Sequence, residues 1–243
     1  RTILYNQSEV PTGYAPPDHP LLTDGLSAYA YDPAAGMSLL EEVGWLDHDG
    51  DPVTPRKASG AANILNETEF IINYYLTESE LHSRVAGVVV ESLAACGVMV
   101  IPSYLAASDM YATGADGLVF GRNFDLAELA WSTGRQPPCF LYSSAEIPTA
   151  DNGWLGTKYG GVNLTGFSNE EYDQVCTNLL STGLNADLFL ANSLRTQEIL
   201  ATELPVLPLF YHVKAMVSRP DLCGFSLDST SRSPFRMLET LVV

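Results

Sequence analysis

Carboxylates at alternate positions are the first residues in this sequence that could carry out chemistry. The segment DHDGD (47–51) spaces three Asp side chains two residues apart, as the start of a calcium-binding loop does. However, Pro52 stands where an EF-hand loop requires Gly, and Ala58 stands where its bidentate Glu belongs. The segment is therefore interpreted as a solvated acidic turn.

Acid–base catalysis by paired carboxylates is a second possible chemistry. Asp125 and Glu128 are close in the sequence, and Asp151 follows in a loop-rich region. A hydrolase of this kind needs two such groups about 5–10 Å apart in one cleft. Because the chain has 29 acidic residues, chance pairs are expected. The sequence contains no GxSxG, Walker A, GxGxxG or HExxH motif, which would indicate a specific catalytic centre.

Aromatic side chains could form a site that binds without catalysing. Five of them concentrate around a loop-rich stretch from residue 132 to residue 167: Trp131, Tyr142, Trp154, Tyr159 and Phe167. Aromatic rings bury large areas, so this group belongs either to a core or to the wall of a ligand cleft. Both interpretations stay open at the level of the sequence.

The four cysteines allow one or two disulfides and no obvious metal site. No CxxC pair occurs, so a structural zinc site is not expected. Cys139 with Cys176 is the pairing to test first. Cys96 lies at an apolar helix end and is predicted to be a buried free thiol.

Hydrophobic periodicity predicts the elements that would position these residues. Residues 62–76 are dense in Ile, Tyr and Phe and predict a strand. A helix follows, with Thr77 and Glu80 as a capping box and Gly97 at its end. VMVIPSY (98–104) then predicts a second strand, and this strand–helix–strand order is typical of an α/β fold.

Further elements are predicted on both sides of this unit. A helix begins with Asp32 as its N-cap and Pro33 at its first position, and Gly44 closes it. The other predicted elements are a short helix (105–114), a strand (124–131), a helix after a Ser168–Glu171 capping box, a helix (186–204) and a buried strand (206–218).

Charge and composition exclude several classes of partner. Twelve basic residues against 29 acidic ones give a net charge of −17, which disfavours binding to nucleic acid or to anionic membrane surfaces. No apolar run reaches about 18 residues, so no membrane span is expected. Residues 1–30 are rich in Pro, Gly and Tyr and predict an extended connector. A chain that starts at Arg1 without a leader is expected to be a piece of a longer protein.

Five segments occur in one order along residues 14–215: YDPAAGMSLLEEVGW with DHDGD, SLAACGVMVIPSY, FDLAELAW, GGVNLTGFSNEEYD and TQEILATELPVLPLFY. Together they resemble the C-terminal lobe of family 5 extracellular solute-binding proteins, the dipeptide- and oligopeptide-binding components of ABC transporters. The resemblance implies an α/β, periplasmic-binding-protein-like lobe of type II, with a mixed sheet flanked by helices. It implies a connector from a missing N-terminal lobe (1–30), a solute-binding lobe (31–215) and a return segment (216–243).

The resemblance also implies a function without catalysis and without a cofactor. Family members close around a solute like a hinged clamp and deliver it to an importer. The expected partners are a small solute (a peptide, possibly an oligosaccharide), the N-terminal lobe of the parent chain and ABC permease subunits. The expected location is extracytoplasmic, with a membrane anchor if the parent is a lipoprotein.

The resemblance implies a ligand-binding segment at the end of FDLAELAW. In peptide binders of the family, backbone groups beside the Trp pair with the ligand main chain, and here these positions are Ala130, Trp131 and Ser132. The family pattern has an Asp three residues after the Trp, which neutralises the peptide ammonium. This sequence has Gly134 there, followed by Arg135; that arginine either favours a carboxylate or another anionic group instead or points to water.

Asn163 of GGVNLTG matches a family Asn near the cleft, with the holding of a loop turn as the equal alternative. Two other functions remain as alternatives to transport. One is a hydrolase that uses the carboxylates described above. The other is a surface interaction module that has lost transport, which the departure at Gly134 favours.

Overall fold

The computed structural model describes residues 3–16, 19, 21–23, 25–26, 29–51, 53–131, 136–183, 185–213 and 217–224. The chain divides into two compact units. The sheet unit comprises Tyr29–Leu129 and Pro148–Trp154, and the helical unit comprises Arg1–Ala28, Ala130–Ile147 and Leu155–Val243. The expected boundaries at residues 30 and 215 stay predictions.

The sheet unit alternates strands and helices. Its elements are α1 (Pro33–Glu42), β1 (Trp45–Leu46), β2 (Lys57–Ala58), β3 (Ile71–Thr77), α2 (Glu80–Ala94), β4 (Met99–Leu105), α3 (Ala107–Met110) and β5 (Leu126–Ala127). The strands β4, β3 and β5 form a parallel sheet in that order, and β1 pairs with β2 antiparallel. A parallel β3–α2–β4 crossover is the arrangement that the sequence predicts.

Alternate residues of β3 face the core of this unit. Tyr74 and Leu76 are buried there with Ala86 of α2 and with Val98 and Val100 at the start of β4. Side chains alternate along a strand, so burial of one set leaves the other on the opposite face of the sheet. The strand β3 begins only at Ile71, because the chain turns over residues 62–67, with positive φ angles at Asn63 and Glu67, and Glu69 then forms an isolated bridge with Lys57.

A buried arginine ties the first helix of the sheet unit to its second. The Arg56 guanidinium donates to the carbonyls of Cys96 at 2.7 Å and Trp45 at 3.0 Å, and to the Glu41 carboxylate at 3.2 Å. Arg56 is a buried cation whose donors reach three acceptors, which offsets its loss of hydration. Cys96 is a free thiol, as predicted, but it is half-buried rather than buried.

Both long helices of the sheet unit begin at a capping side chain, and one of them begins later than predicted. Asp32 caps α1 by accepting from the Ala35 N–H at 3.0 Å, as predicted. The predicted start of α2 at Thr77 is wrong by two residues, because Thr77 still pairs with β4 as the last residue of β3. Ser79 is the N-cap instead and accepts from the His82 N–H at 3.0 Å.

The helical unit is built from α4 (Cys139–Tyr142), α5 (Glu170–Ser181) and α6 (Ala186–Glu203), with a 3₁₀ turn at Ser144–Glu146. The predicted disulfide between Cys139 and Cys176 is confirmed and joins α4 to α5. The N-cap of α5 is Asn169 rather than the predicted Ser168, since the Asn169 side chain accepts from the Tyr172 N–H.

Two predicted strands differ from the structure. The strand predicted over 124–131 is reduced to β5, whose last residue lies four positions before Trp131. The strand predicted over 206–218 is wrong, because residues 206–213 are irregular where the structure describes them. Pro208 lacks the N–H that a sheet ladder requires. Within the described residues, no helix combines the length and the apolar character needed to cross a membrane.

Candidate functional site

Trp131 is the best-placed of the predicted binding residues. Its side chain is 47% exposed, and the neighbouring Ala130 is exposed as well. Both follow the carboxyl end of β5 in the chain, and open α/β sheets bind their ligands beyond the carboxyl ends of their strands. Ser132, Gly134 and Arg135 lie outside the described residues, so their part in binding stays a prediction.

Asn163 has a different environment. It is buried, and its side-chain amide donates to the carbonyls of Ser143 at 3.1 Å and Phe167 at 2.7 Å. Its amide oxygen accepts from the Thr165 hydroxyl at 2.8 Å. Donors and acceptor are thus engaged with the loop around it, which favours the loop-holding alternative. A ligand contact at Asn163 stays a prediction.

The aromatic residues that cluster in the sequence separate in the structure. Tyr142 is buried in the core of the helical unit, and Tyr159 and Phe167 pack against that core. Phe167 meets Tyr172 edge to face, with ring centroids 5.8 Å apart. Core packing therefore explains these three rings, while the exposed Trp131 keeps the cleft interpretation.

A group of polar residues at the carboxyl edge of the parallel sheet was missed at the level of the sequence. This carboxyl-edge cluster consists of Tyr74, Thr77, His82 and Glu128. The Tyr74 hydroxyl donates to Glu128 Oε2 at 2.6 Å, and His82 Nε2 lies 3.9 Å from Glu128 Oε1. On its other side, His82 Nδ1 lies 2.7 Å from the Thr77 carbonyl oxygen and 3.0 Å from the Thr77 hydroxyl.

Burial makes the carboxyl-edge cluster electrostatically distinct. The side chains of Glu128 and His82 are only 8% and 20% exposed. Burial raises the pKa of the Tyr74 phenol, and its hydrogen bond to the Glu128 carboxylate raises this pKa further, because both favour the protonated donor. Tyr74 is therefore a fixed donor to Glu128 at any physiological pH.

The register of β5 against β3 brings the cluster together. Leu126 pairs with Tyr74 and Ala127 with Tyr75, and the Glu128 N–H continues the ladder by donating to the Tyr75 carbonyl at 2.9 Å. Glu128 therefore follows Leu126 on the face that carries Tyr74. Only strand pairing fixes this alignment, so spacing along the sequence carries no signal for it.

The other candidate carboxylates are engaged with partners of their own. Asp125 accepts from the backbone and side-chain amides of Asn73 at 2.9 and 3.0 Å, away from the Glu128 partners. In the acidic turn, Asp49 accepts from the Asp51 N–H and from the Thr54 hydroxyl, and these bonds lower its pKa. Within the described residues, no group of three or more His, Cys, Asp or Glu side chains is arranged to hold a metal ion.

The chain matches one protein-family model over residues 1–152, that of the bacterial extracellular solute-binding proteins, family 5. A search of curated proteins found no match. Several solved structures have a fold similar to that of this chain.

Three of these structures illustrate the likeness. An oligopeptide-binding protein from Thermus thermophilus, complexed with a pentapeptide, has a TM-score of 0.74 at 20% identity, over 92% of this chain and 36% of that one. The oligopeptide-binding protein AppA from Bacillus subtilis, with a nonapeptide, has a TM-score of 0.73 at 17% identity, over 99% and 44%. NikZ from Campylobacter jejuni, with Ni(L-His), has a TM-score of 0.71 at 13% identity, over 99% and 45%.

These likenesses establish the fold, that of the periplasmic binding proteins, in which helices flank the sheets. The fold prediction is confirmed. The chain spans less than half the length of each of these three structures.

Proposed function

Because the chain belongs to family 5 of the bacterial extracellular solute-binding proteins, we propose that it forms part of the solute-binding component of an ABC importer. The observation that carries the proposal is the half-exposed indole of Trp131, which follows the last residue of β5 by four positions in the chain. An exposed, flat aromatic ring at that position is suited to pack against a solute.

A peptide or another small solute is the proposed ligand. Ala130 and Trp131 lie in an irregular backbone segment after β5, and backbone groups at 130–132 are proposed to pair with the main chain of an extended ligand. Gly134 and Arg135 shift the preference toward ligands that carry a carboxylate near this segment. The bound pentapeptide, nonapeptide and Ni(L-His) of the similar structures are compatible with ligands of different chemistry on one fold.

The proposed role is binding without catalysis. Asp125 and Glu128 have separate partners, which does not favour a cooperating pair of carboxylates. The Thr77 hydroxyl lies beside His82 Nδ1, but that nitrogen also faces the Thr77 carbonyl, which only accepts hydrogen bonds. Nδ1 therefore carries a proton and cannot act as the base that activates the hydroxyl.

The family also supports proposals about location and partners. We place the parent protein outside the cytoplasm, in the periplasm or at the cell surface, with lipid anchoring as the finer possibility. Its partners would be a second lobe, supplied by the remainder of the parent, and the permease subunits of the importer. No part of this role requires a cofactor.

Isothermal titration calorimetry tests the proposal on the complete gene product that contains this chain. Panels of short peptides and oligosaccharides are titrated into the wild type and into Trp131→Ala. We expect at least one ligand to bind, and the substitution to weaken it about tenfold or more, as loss of an aromatic anchor does.

Tyr31→Ala is the matched control, because Tyr31 is also an exposed aromatic residue but lies before α1. Its affinity should equal that of the wild type. If Trp131→Ala binds as tightly as Tyr31→Ala, the site is assigned wrongly. If neither panel yields a ligand for the wild type, the proposed function is wrong for these solutes.

A further inference from the structure

We propose that Glu128 and His82 form a subsite for a cationic N–H donor, such as the primary ammonium group of a ligand. This inference rests on the proposed function in one respect: it takes the bound cation to be a group of the transported ligand. The subsite itself is argued from the carboxyl-edge cluster, which lies wholly within the sheet unit.

The first step concerns the tautomer of His82. Its Nδ1 lies 2.7 Å from the Thr77 carbonyl oxygen, which can only accept a hydrogen bond. The proton of a neutral His82 is therefore on Nδ1, and Nε2 carries a lone pair. That lone pair is on the side of the ring that faces Glu128.

The second step concerns the carboxylate. Glu128 Oε2 is held by the Tyr74 hydroxyl at 2.6 Å, whereas Oε1 accepts no hydrogen bond from the described residues. Oε1 and His82 Nε2 are 3.9 Å apart, too far for a direct hydrogen bond. Two acceptors thus converge without a donor between them. One nitrogen at about 2.9 Å from each would donate to both.

The third step concerns charge. Glu128 is nearly buried, and a carboxylate in that environment needs a cation or several hydrogen-bond donors, of which the described residues supply only the Tyr74 hydroxyl. Within the described residues, His82 is the one basic side chain within 4.0 Å of it. When His82 is neutral, the pair has a net charge of −1 and an open acceptor on each partner. A ligand ammonium supplies both the missing charge and the missing donors, which a neutral hydroxyl would not.

The position of the cluster agrees with a ligand site. It lies where β3 and β5 end and where α2 begins, the edge at which open parallel sheets bind ligands. Glu128 also precedes Trp131 by three residues in the chain. The competing arrangement is a protonated His82 that completes the ion pair by itself and leaves no room for a ligand cation.

Nitrogen-15 NMR of the histidine rings distinguishes the two arrangements. The complete gene product is labelled at its histidine rings, and His82→Gln assigns the His82 signals. At pH 8, the proposal predicts an unprotonated Nε2 whose signal shifts saturably on addition of methylammonium chloride. Tetramethylammonium chloride, which has the same charge and no N–H, should cause less than a tenth of that shift.

Two variants complete the test. Glu128→Gln keeps the side-chain shape but removes the charge, and should abolish the response to methylammonium. Glu91→Gln, an exposed position farther along α2, should respond like the wild type. The proposal is overturned by an Nε2 that is already protonated at pH 8, by an equal response to both cations, or by a response that persists in Glu128→Gln.

This result is independent of transport. Calorimetry with tetra-alanine and N-acetyl-tetra-alanine then asks whether the subsite serves a ligand. A preference of tenfold or more for the free amine, lost in Glu128→Gln, supports both proposals. A saturable methylammonium response in a protein that binds no panel ligand supports the subsite and contradicts the proposed function. Binding of a panel ligand without a methylammonium response supports the proposed function and contradicts the subsite.

Discussion

Each of the two units contains a glutamate whose side chain is largely removed from water, and the two carboxylates are satisfied differently. In the helical unit, Glu146 is fully buried, and its two carboxylate oxygens accept from the backbone N–H groups of Tyr159 and Gly161. In the sheet unit, Glu128 accepts from the Tyr74 hydroxyl with one oxygen only. Its other oxygen faces a histidine at a distance that leaves a gap.

The difference separates a structural carboxylate from an available one. The residue type is the same at both positions and both side chains are largely removed from water, so neither property alone identifies a functional site. What differs is whether the acceptors are saturated by donors that folding supplies. Glu146 fixes the course of the loop at 156–161, and Glu128 keeps an acceptor free at a sheet edge. Three sets of stability measurements test this contrast and compare other interactions of the two units.

The largest expected effect is loss of the disulfide, which the helical unit has and the described part of the sheet unit lacks. Replacing both Cys139 and Cys176 by Ala should lower the free energy of unfolding by about 4 kcal/mol, since a 37-residue separation closes a long loop. Urea unfolding measures the change. Cys96→Ala, at a free thiol, is the control, and an equal loss in both proteins would contradict the expectation.

Glu146→Ala should have the next largest effect. It leaves the partly buried N–H groups of Tyr159 and Gly161 without their acceptors and removes a fully buried side chain, which together cost about 3 kcal/mol. Glu128→Ala removes one hydrogen bond, from Tyr74, and should cost about 1 kcal/mol. Urea unfolding of the two variants compares the units directly. The contrast fails if Glu128→Ala destabilises the protein as much as Glu146→Ala.

The smallest effect concerns two buried phenols. The Tyr172 hydroxyl in the helical unit has no hydrogen-bond partner among the described residues, whereas the Tyr74 hydroxyl donates to Glu128. Tyr172→Phe should therefore leave stability unchanged or raise it by up to about 1 kcal/mol. Tyr74→Phe should lower it by about 1 kcal/mol. Thermal unfolding of both variants gives the sign. A larger loss in Tyr172→Phe would mean that an unrecognised partner holds its hydroxyl.

Patterns within a few consecutive residues predicted those helices and strands whose formation depends on neighbours in the sequence. The Asp32 cap with Pro33, the helix ending near residue 204 and the strand at 98–104 all depend on neighbours a few residues away. Four cysteines allow only three full pairings, and the bond between Cys139 and Cys176 that was predicted among them is confirmed. Family resemblance added the fold, which short-range patterns leave open.

The carboxyl-edge cluster could not be predicted in this way. Tyr74, His82 and Glu128 meet because β5 pairs with β3 in one particular register, and a shift of one residue would turn Glu128 to the opposite face. The strand expected over 206–218 failed for the opposite reason. Its apolar run satisfied a local rule, but Pro208 interrupts any ladder there, and residues 206–213 remain irregular.

The chain order of the two units has a consequence for biosynthesis. All of the sheet unit except Pro148–Trp154 has been synthesised once residue 129 is added, so its parallel strands can assemble before the helical unit is complete. The helical unit must wait for α6, because Tyr14 and Leu21 bond to Ser193, Thr196 and Gln197. The segment that holds Tyr14 and Leu21 therefore stays without its docking helix until α6 has been synthesised.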